Sequence, residues 1–281
     1  MKNKIKLSIL MPVLNEGINL KIMLKILKAT IDMPHEVLVV YDMPNDDSIP
    51  VVKAMQKDYP MLRLVHNKLG KGVINAIKAG VDAAIGEYVL LIAADDIGPV
   101  LAVDDMISLM DEGCDLVNAT RYAYGGRNME GIFISRILSK ISNKLFYVLS
   151  GSALTDPTLG VKMFRRSLFN QLKLESKPVG WAVSFEFAIK AQLAGWKLGE
   201  VPMISINRFY GGKSSFKFGP WVVEYTKWFL WGFKHLHSSG RLRQKLQVKI
   251  PGKINLKLWL QKIGFNNNKH IKKIKGHQMM A

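Results

Sequence analysis

Short apolar runs alternate with segments of helical apolar spacing through the first 120 residues of the chain. Strands are predicted at KLSILMPV, HEVLVVYD, RLVH, EYVLLIAAD and CDLVNATR. Helices are predicted over 16–31, 48–59, 71–85 and 100–112. This order is typical of parallel βαβ units, so we expect an α/β fold with a mostly parallel sheet flanked by helices. With 281 residues, 48% of them apolar, the chain can bury one such core and still carry an appendage.

Polar residues follow all five predicted strands. In an open parallel sheet, ligands bind beyond the carboxyl ends of the strands, so these residues predict one crevice. They are Pro12 to Glu16, Asp42, Asn67 to Gly72, Asp95 with Asp96, and Thr120 with Arg121.

The adjacent carboxylates of Asp95 and Asp96 need compensation, because they repel each other at the end of an apolar strand. A water-exposed turn would provide it, and so would a divalent cation that carries a phosphorylated ligand.

Two nucleotide-binding motifs are absent. The segment NRFYGGKSS ends like a P-loop, but Asn207 stands where that motif requires glycine. The first strand turns through PVLNEG and not through G-x-G-x-x-G, which argues against a Rossmann dehydrogenase.

The charge of the chain is strongly positive, with 40 Lys and Arg against 22 Asp and Glu. Residues 225–281 hold 13 of these basic residues and no acidic one. Such a balance favours nucleic acid, an anionic membrane or a polyanionic substrate as partner. The lone Cys114 fits a reducing compartment, and the amino-terminal segment lacks a signal-peptide pattern, so we expect a cytoplasmic protein.

Successive blocks of the sequence resemble family 2 glycosyltransferases with the GT-A fold, of the dolichyl-phosphate mannosyltransferase-like type. The blocks are SILMPVLNEGINL, EVLVVYDMPNDDS, NKLGKGVINAIKAG, GEYVLLIAADD, NATRYAYGG, DPTLGVKMFRR, GWKLGEVPM and RFYGGKSSFK. The resemblance covers roughly residues 6 to 218. It implies a Rossmann-like GT-A domain that moves a sugar from a GDP- or UDP-sugar onto a polyprenyl phosphate, with inversion at the anomeric carbon.

The resemblance places Pro12, Glu16 and Asp42 in the nucleotide site, where the two carboxylates accept hydrogen bonds from base or ribose. On the residues alone, Glu16 could instead cap a helix, and Asp42 could belong to a solvated turn.

Cations are expected beside the donor diphosphate. Lys71, between Gly70 and Gly72, stands at a predicted helix start, where amide groups can also meet an anion, although an ordinary glycine turn fits as well. Arg208 and Lys213 resemble the family loop that closes over the diphosphate.

The metal site departs from the family pattern. The family usually carries Asp-x-Asp, but here Ala93 occupies the first aspartate position, Asp95 the second, and Asp96 follows. We expect Asp95 to bind Mg²⁺ or Mn²⁺, and Asp96 either to replace the lost ligand or to face the sugar hydroxyls. A protein that has lost metal-assisted transfer remains the alternative.

The acceptor side is predicted from cations that match the family's phosphate-binding arginines, Arg121 and Arg136. Asp156, in DPTLG, matches a residue near the sugar. A phosphate acceptor is already ionised and needs clamping, whereas a sugar hydroxyl would need a carboxylate base such as Asp156 or Glu186. On the residues alone, both arginines could be surface residues, and Asp-Pro could simply start a turn.

Beyond the catalytic domain, 1–218, we predict an aromatic interfacial helix over 219–240 and a basic amphipathic tail over 241–281. Trp221, Trp228, Phe229, Trp231 and Phe233 suit a headgroup region, although core packing is the alternative. Residues 219–281 are therefore expected to hold the protein peripherally on the anionic inner face of the cell membrane. Nucleic acid is not expected, since no nucleic-acid motif accompanies the charge.

Two other functions remain open at this point. The chain could transfer sugar to a hydroxyl in polysaccharide or lipid-linked glycan assembly. It could also be a non-catalytic glycosyltransferase-like binding module, because Ala93 removes an expected ligand.

Overall fold

The computed structural model describes residues 5–129, 133–206, 218–240 and 243–250. The strands are β1 Leu7–Val13, β2 His35–Tyr41, β3 Leu62–His66, β4 Tyr88–Leu91, β5 Leu116–Thr120, β6 Arg127–Asn128, β7 Lys162–Arg165, β8 Leu198–Pro202, β9 Ile204–Ser205 and β10 Gln247–Val248. The helices are α1 Gly17–Thr30, α2 Ser48–Met55, α3 Val73–Ala83, α4 Val103–Asp111, α5 Phe133–Ser150, α6 Arg166–Phe169, α7 Ala182–Leu193 and α8 Phe218–Ser238, with a 3-10 helix at Gly98–Ala102. The five strands and four helices predicted in the first 120 residues are thereby confirmed.

Eight strands form one sheet in the order β10-β8-β5-β7-β4-β1-β2-β3. Strand β1 pairs in parallel with β2 and β4, and β5 pairs in parallel with β8. Strand β7, which the sequence did not predict, runs antiparallel between β4 and β5. Because β7 opposes both neighbours, β4 and β5 run in the same direction. The carboxyl ends of β1 to β5 therefore share one edge, as predicted for the crevice.

Both faces of this sheet are buried, which explains why its central strands are continuous apolar runs. In β1, Leu7, Ile9 and Met11 pack in the cluster that covers one face with α1, α2 and α4. Leu10 packs on the other face, in the cluster that includes α3 and α7. The sheet is thus fixed between two helical layers, and its edge residues can hold defined positions.

Helix α8 packs on the domain through its aromatic residues. Trp228 is 2% exposed and shares a buried cluster with Phe146 of α5 and Phe185 of α7. Phe229 and Trp231 pack against the same cluster. The compact unit that contains α8 extends to Lys249. The alternative of core packing therefore accounts for most of the aromatic residues, while the domain boundary at 218 stays a prediction.

Helix α5, unlike α8, leaves a broad apolar face exposed. Its buried residues are Asn143, Phe146 and Ser150. Its exposed apolar residues recur along one side: Phe133, Ile134, Ile137, Leu138, Ile141, Leu145, Val148 and Leu149. In the described parts of the chain, no helix combines the length and apolar content needed to cross a membrane.

Candidate active site

The end of β2 meets the start of α3 at Asp42. Its carboxylate accepts hydrogen bonds from Asn67 Nδ2 at 2.7 Å and from the Gly72 amide at 2.9 Å. Asn67 is itself 4% exposed and also donates to the Gly70 carbonyl at 2.6 Å. Asp42 is half-buried at the crevice edge. It therefore ties the polar ends of β2 and β3 to the helix that follows them.

The turn around Lys71 requires glycine on both sides. Gly70 and Gly72 have φ angles of +106° and +110°, which side chains rarely adopt. A Cβ at Gly72 would also lie 2.5 Å from Pro178 Cβ. Lys71 is exposed between them, directly before α3. The turn thus presents an ammonium group beside the amino-terminal end of a helix, an arrangement that favours anions.

The loop after β1 is held by residues 46–48, whose role the sequence did not predict. The amides of Asn15 and Gly17 donate to Asp46 Oδ2 and Asp47 Oδ1 at 3.0 and 2.8 Å. The loop that leads into α1 and the first amide of the helix, that of Gly17, are therefore held from another loop, and Glu16 makes no side-chain cap. Glu16 instead accepts a hydrogen bond from Asn19 Nδ2 at 2.9 Å. This leaves the capping alternative for Glu16 unsupported.

Pro12, one of the residues predicted for the nucleotide site, is half-buried near the carboxyl end of β1. It lies inside β1 and pairs in register with Val40 of β2, beyond Leu10, the last β1 residue paired with β4. It therefore belongs to the strand and does not follow it, and its role in binding the donor stays a prediction.

Asp95 and Asp96 have different surroundings although they are adjacent. Asp95 is half-buried, whereas Asp96 is 4% exposed. Asp96 Oδ1 accepts the Gly98 and Ile206 amides, each at 3.0 Å, and Oδ2 accepts the Ser205 hydroxyl at 2.9 Å. Burial raises the pKa of Asp96, the Asp95 charge adds to the increase, and the three hydrogen bonds oppose it.

A divalent metal would fit this edge of the sheet only with few protein ligands. No group of three or more His, Cys, Asp or Glu side chains suited to a metal occurs among the described residues. Ala93 offers no side-chain oxygen, and the Asp96 oxygens already bind three donors. Asp95 is therefore the side chain that would hold the metal, and Mg²⁺ commonly accepts one or two carboxylates with water and phosphate oxygens. The roles predicted for Asp96, as a replacement metal ligand or as a contact to the sugar hydroxyls, stay predictions.

Arg121 is fixed at the end of β5 by a bidentate ion pair with Asp156. Arg121 Nε lies 2.8 Å from Asp156 Oδ2, and its Nη2 lies 3.0 Å from Oδ1. The Arg121 amide also donates to Asp156 Oδ2 at 3.1 Å. Asp156 is fully buried. Arg121, which the sequence assigned to the acceptor phosphate, is thus in direct contact with Asp156, which it assigned to a position near the sugar.

A buried polar network holds the turn that carries Asp156. Glu200 of β8 accepts the Thr155 amide at 2.8 Å and the Thr155 hydroxyl at 2.9 Å. Lys162 donates to Asn118 Oδ1 at 2.7 Å and to the Leu159 carbonyl at 2.5 Å. Burial lowers the pKa of Lys162 to about 7 and raises that of Glu200 to about 7. Neither residue was predicted, because their partners lie 45 and 44 positions away along the chain, at Thr155 for Glu200 and at Asn118 for Lys162.

A basic pocket of about 420 Å³ contains Arg121 and Arg136. Among the described residues, none forms an ion pair with the side chains of Arg127, Arg136 or Lys140. The Nε atom of Arg136 is buried without a hydrogen-bond partner. The pocket is lined by Arg121, Tyr122, Gly126, Arg127, Asn128, Met129, Phe133, Arg136, Ile137 and Lys140. The structure therefore brings the two predicted arginines together and adds Arg127 and Lys140, which the sequence reasoning missed.

Two predicted donor-site cations, Arg208 and Lys213, lie outside the described residues, as does most of the tail 241–281. Their roles stay predictions.

Comparison with known proteins gives one family match. Residues 8–173 match the family described as Glycosyl transferase family 2. The dolichol-phosphate mannosyltransferase of Pyrococcus furiosus is 24% identical over 231 residues, or 79% of this chain and 64% of the relative. The undecaprenyl-phosphate 4-deoxy-4-formamido-L-arabinose transferase of Klebsiella pneumoniae subsp. pneumoniae is 25% identical over 171 residues, or 59% of this chain and 51% of the relative. The chain thus spans less than two thirds of each relative's length.

A solved structure confirms the fold class. The glucosyl-3-phosphoglycerate synthase of Mycobacterium tuberculosis, in complex with Mn²⁺, UDP-glucose and phosphoglyceric acid, superposes with a TM-score of 0.61. The match covers 82% of this chain and 80% of that protein, at 18% identity. The same protein has been solved with Mg²⁺ and UDP. At this identity the likeness concerns the fold, and it agrees with the predicted GT-A architecture.

Proposed function

Because the chain belongs to glycosyl transferase family 2, we propose that it moves a sugar from a nucleotide-sugar donor onto a polyprenyl phosphate at a membrane surface. One observation carries the proposal. The basic pocket is lined by Phe133 and Ile137, which also belong to the exposed apolar face of α5. A lipid phosphate has the same two parts, an anionic head and an apolar chain.

The charge of the pocket supports a phosphate head. Asp156 pairs with Arg121, while Arg127, Arg136 and Lys140 line the pocket without an ion-pair partner among the described residues. A guanidinium can donate two parallel hydrogen bonds to a phosphate, so Arg136 is well suited to hold one. A phosphate dianion would therefore find more cationic charge than it needs for neutralisation.

The apolar face of α5 supports a membrane-borne acceptor. Phe133 and Ile134 are 66% and 65% exposed. The helix also carries Arg136, Lys140 and Lys144 and no acidic residue, which suits an anionic leaflet. An exposed apolar surface of this extent normally marks an interaction site. We therefore propose that α5 makes the main membrane contact, that the exposed Val223 and Leu230 of α8 offer further apolar contacts, and that the basic tail adds an electrostatic contact.

On the donor side, we assign Asp42 and Glu16 to the nucleoside and Lys71 to the diphosphate. Arg208 and Lys213 are proposed to add charge over the diphosphate. A Mg²⁺ or Mn²⁺ ion, when bound at Asp95, would neutralise the departing nucleoside diphosphate. In the reaction, an acceptor phosphate oxygen forms a bond to the anomeric carbon while the bond from that carbon to the diphosphate oxygen breaks. Arg121 and Arg136 orient the acceptor phosphate, and no general base is required because that oxygen is already ionised.

Transfer to a sugar hydroxyl is less well supported, since it would need a carboxylate base. Asp156 is engaged by Arg121 through two contacts. Glu186 is fully buried, pairs with Lys190 at 2.7 Å and accepts hydrogen bonds from the backbone amides of Glu175 and Ser176. Both carboxylates therefore have structural partners that occupy their oxygens.

The proposal is tested by nucleotide-sugar turnover of the purified full-length chain, with and without polyprenyl phosphate in vesicles. We expect nucleoside diphosphate release that depends on the polyprenyl phosphate. Turnover that requires a neutral glycan instead would contradict the acceptor assignment. Donor binding without turnover on any acceptor would favour the non-catalytic binding module.

A further inference from the structure

We propose that Asp96 is a positioning residue that connects the donor edge of the sheet to the wall of the acceptor pocket. It would act through the two short strands β9 and β6. The effect of Asp96 on transfer kinetics rests on the proposed function, whereas its effect on the positions of β9 and β6 does not. The proposal gives Asp96 a role different from that of Asp95, although both follow the same strand.

The first step is the contact between Asp96 and β9. Oδ1 accepts the Ile206 amide at 3.0 Å, and Oδ2 accepts the Ser205 hydroxyl at 2.9 Å. Both partners lie more than 100 positions later in the chain. Oδ1 also accepts the Gly98 amide at 3.0 Å, which fixes the carboxylate relative to its own turn. A carboxylate, which only accepts hydrogen bonds, matches these three donors.

The second step is close packing of the backbone at the same place. A Cβ at Gly98 would lie 1.7 Å from the Ile204 carbonyl oxygen. Strand β9 therefore rests directly on the turn that Asp96 begins. This steric observation is independent of the hydrogen bonds, and both place β9 against residues 96–98.

The third step leads from β9 to the pocket. Strands β9 and β6 pair in parallel, with Arg127 opposite Ile204 and Asn128 opposite Ser205. The Arg127 amide donates to the Met203 carbonyl at 2.9 Å, and the Met129 amide donates to the Ser205 carbonyl at 3.1 Å.

Strand β6 supplies one wall of the basic pocket through Arg127 and Asn128, and Met129 follows it. The position of this wall therefore depends on β9, and the position of β9 depends on Asp96. A carboxylate that looks from the sequence like a replacement metal ligand instead faces the interior and supports the acceptor side.

The experiment compares Asp96→Asn with Asp95→Asn, and uses Asp104→Asn on the exposed start of α4 as the matched carboxylate-to-amide control. Hydrogen exchange of the amides of Arg127 and Met129 is the structural readout. We expect faster exchange at both amides in Asp96→Asn, and wild-type exchange in the other two variants. Mn²⁺ binding in the presence of nucleoside diphosphate, followed by electron paramagnetic resonance, should be weakened by Asp95→Asn and retained in Asp96→Asn.

The kinetic readout is the KM for polyprenyl phosphate. We expect Asp96→Asn to raise it on the order of tenfold or more, with little change in donor KM, because small misplacements of positioning groups have large kinetic effects. Ser205→Ala should change both readouts in the same direction, because it removes one hydrogen bond to Asp96 without altering any carboxylate, and it covers the case in which Asp96→Asn fails to fold.

Loss of Mn²⁺ binding in Asp96→Asn equal to that in Asp95→Asn, with unchanged exchange at Arg127 and Met129, would overturn the proposal. If the wild-type chain transfers no sugar to polyprenyl phosphate, the proposed function fails, yet the exchange measurement still decides the role of Asp96.

Discussion

At the scale of single residues, Asp95 is the carboxylate assigned to the metal, since Ala93 replaces the other expected aspartate. We expect Asp95→Asn to remove nearly all transfer and leave the fold intact, because a neutral amide is a poor ligand for Mg²⁺. Transfer rate and thermal unfolding of the purified variant measure the two effects. Full activity would contradict the metal assignment.

A companion substitution tests the missing ligand. Ala93→Asp restores the family pattern, and we expect it to maintain or increase Mn²⁺ affinity. Ala93 is half-buried, so a large loss of stability would show instead that this position is intolerant of charge.

Arg121 and Arg136, the two arginines assigned to the acceptor phosphate, should differ in how much each contributes to the stability of the fold. Arg121→Ala and Arg136→Ala are both expected to raise the KM for polyprenyl phosphate while donor binding is retained. Arg121→Ala also leaves the fully buried Asp156 without its ion-pair partner, and such a loss typically costs about 3–5 kcal/mol. Arg136 has no such partner among the described residues, so Arg136→Ala should unfold near the wild-type denaturant concentration. Equal destabilisation by both would contradict the assigned contacts.

Residue positions at the crevice were predictable, whereas side-chain directions were not. Asp42, Asp95 and Arg121 follow apolar runs, so their location at strand ends can be derived from the sequence. Asp96 follows the same run, but its orientation is fixed by Ser205 and Ile206, which no local pattern associates with it.

At the scale of elements, α5 and α8 show how composition can mislead. The aromatic residues of α8 suggest a headgroup helix, yet Trp228 is buried because α5 and α7 pack around it. Helix α5 shows helical apolar spacing too, and the sequence alone does not tell whether that face meets protein or solvent. Only the packing of Phe146 inward identifies the opposite face as exposed.

Membrane binding should therefore respond to α5. We expect Ile137→Glu with Ile141→Glu to reduce sedimentation with anionic vesicles, because the changes place charge in the apolar face. Both side chains are exposed, so the circular dichroism and unfolding of the variant should match wild type. Val223→Glu on α8 is the matched control and is expected to have a smaller effect. A larger loss of vesicle sedimentation in Val223→Glu than in the α5 variant would indicate that α8 makes the main membrane contact.

The basic tail is tested by truncation after residue 250. Such a deletion keeps α8, whose Trp228 and Leu236 are buried and would be lost by truncation at 218. We expect weaker vesicle binding at low salt and a smaller difference at high salt, because screening reduces the tail's electrostatic contribution. Vesicle sedimentation over a salt series measures this. Equal binding at all salt concentrations would exclude the tail as a contact.

At the scale of the whole molecule, β7 is the main departure from the predicted organisation. No strand was predicted at Lys162–Arg165, yet this segment enters the centre of the sheet. A four-residue strand with lysine and arginine at its ends does not resemble a buried strand. Its Lys162 is accommodated only because Asn118 and two backbone carbonyls accept its hydrogen bonds.

Two buried groups near the sheet centre should shape the pH dependence of stability. The Glu200 pKa is raised from 4.5 to about 7, so between these values the folded protein keeps a proton that the unfolded chain releases. Its contribution to the free energy of unfolding therefore falls as pH rises. The Lys162 pKa is lowered from 10.5 to about 7, so above 7 the unfolded chain holds the extra proton and the contribution rises with pH.

Together the two groups should give a local minimum of stability near pH 7, with slopes of at most about 1.4 kcal/mol per pH unit for each group. Urea unfolding across this range measures it. Glu200→Gln should flatten the acidic side and Lys162→Met the alkaline side. Identical pH profiles in wild type and both variants would contradict these shifts.

The insertion of β7 between β4 and β5 also divides the chain by task. Arg121, Arg136 and Asp156 all lie in the stretch between the end of β5 and the start of β7, whereas Asp42, Lys71 and Asp95 precede it. The proposed acceptor side thus lies almost entirely in the one continuous segment that connects β5 to β7. Under the proposed assignments, replacing this stretch with that of a relative should change the acceptor preference and leave the sugar-nucleotide preference unchanged, provided that the two residues of β9 are exchanged with it.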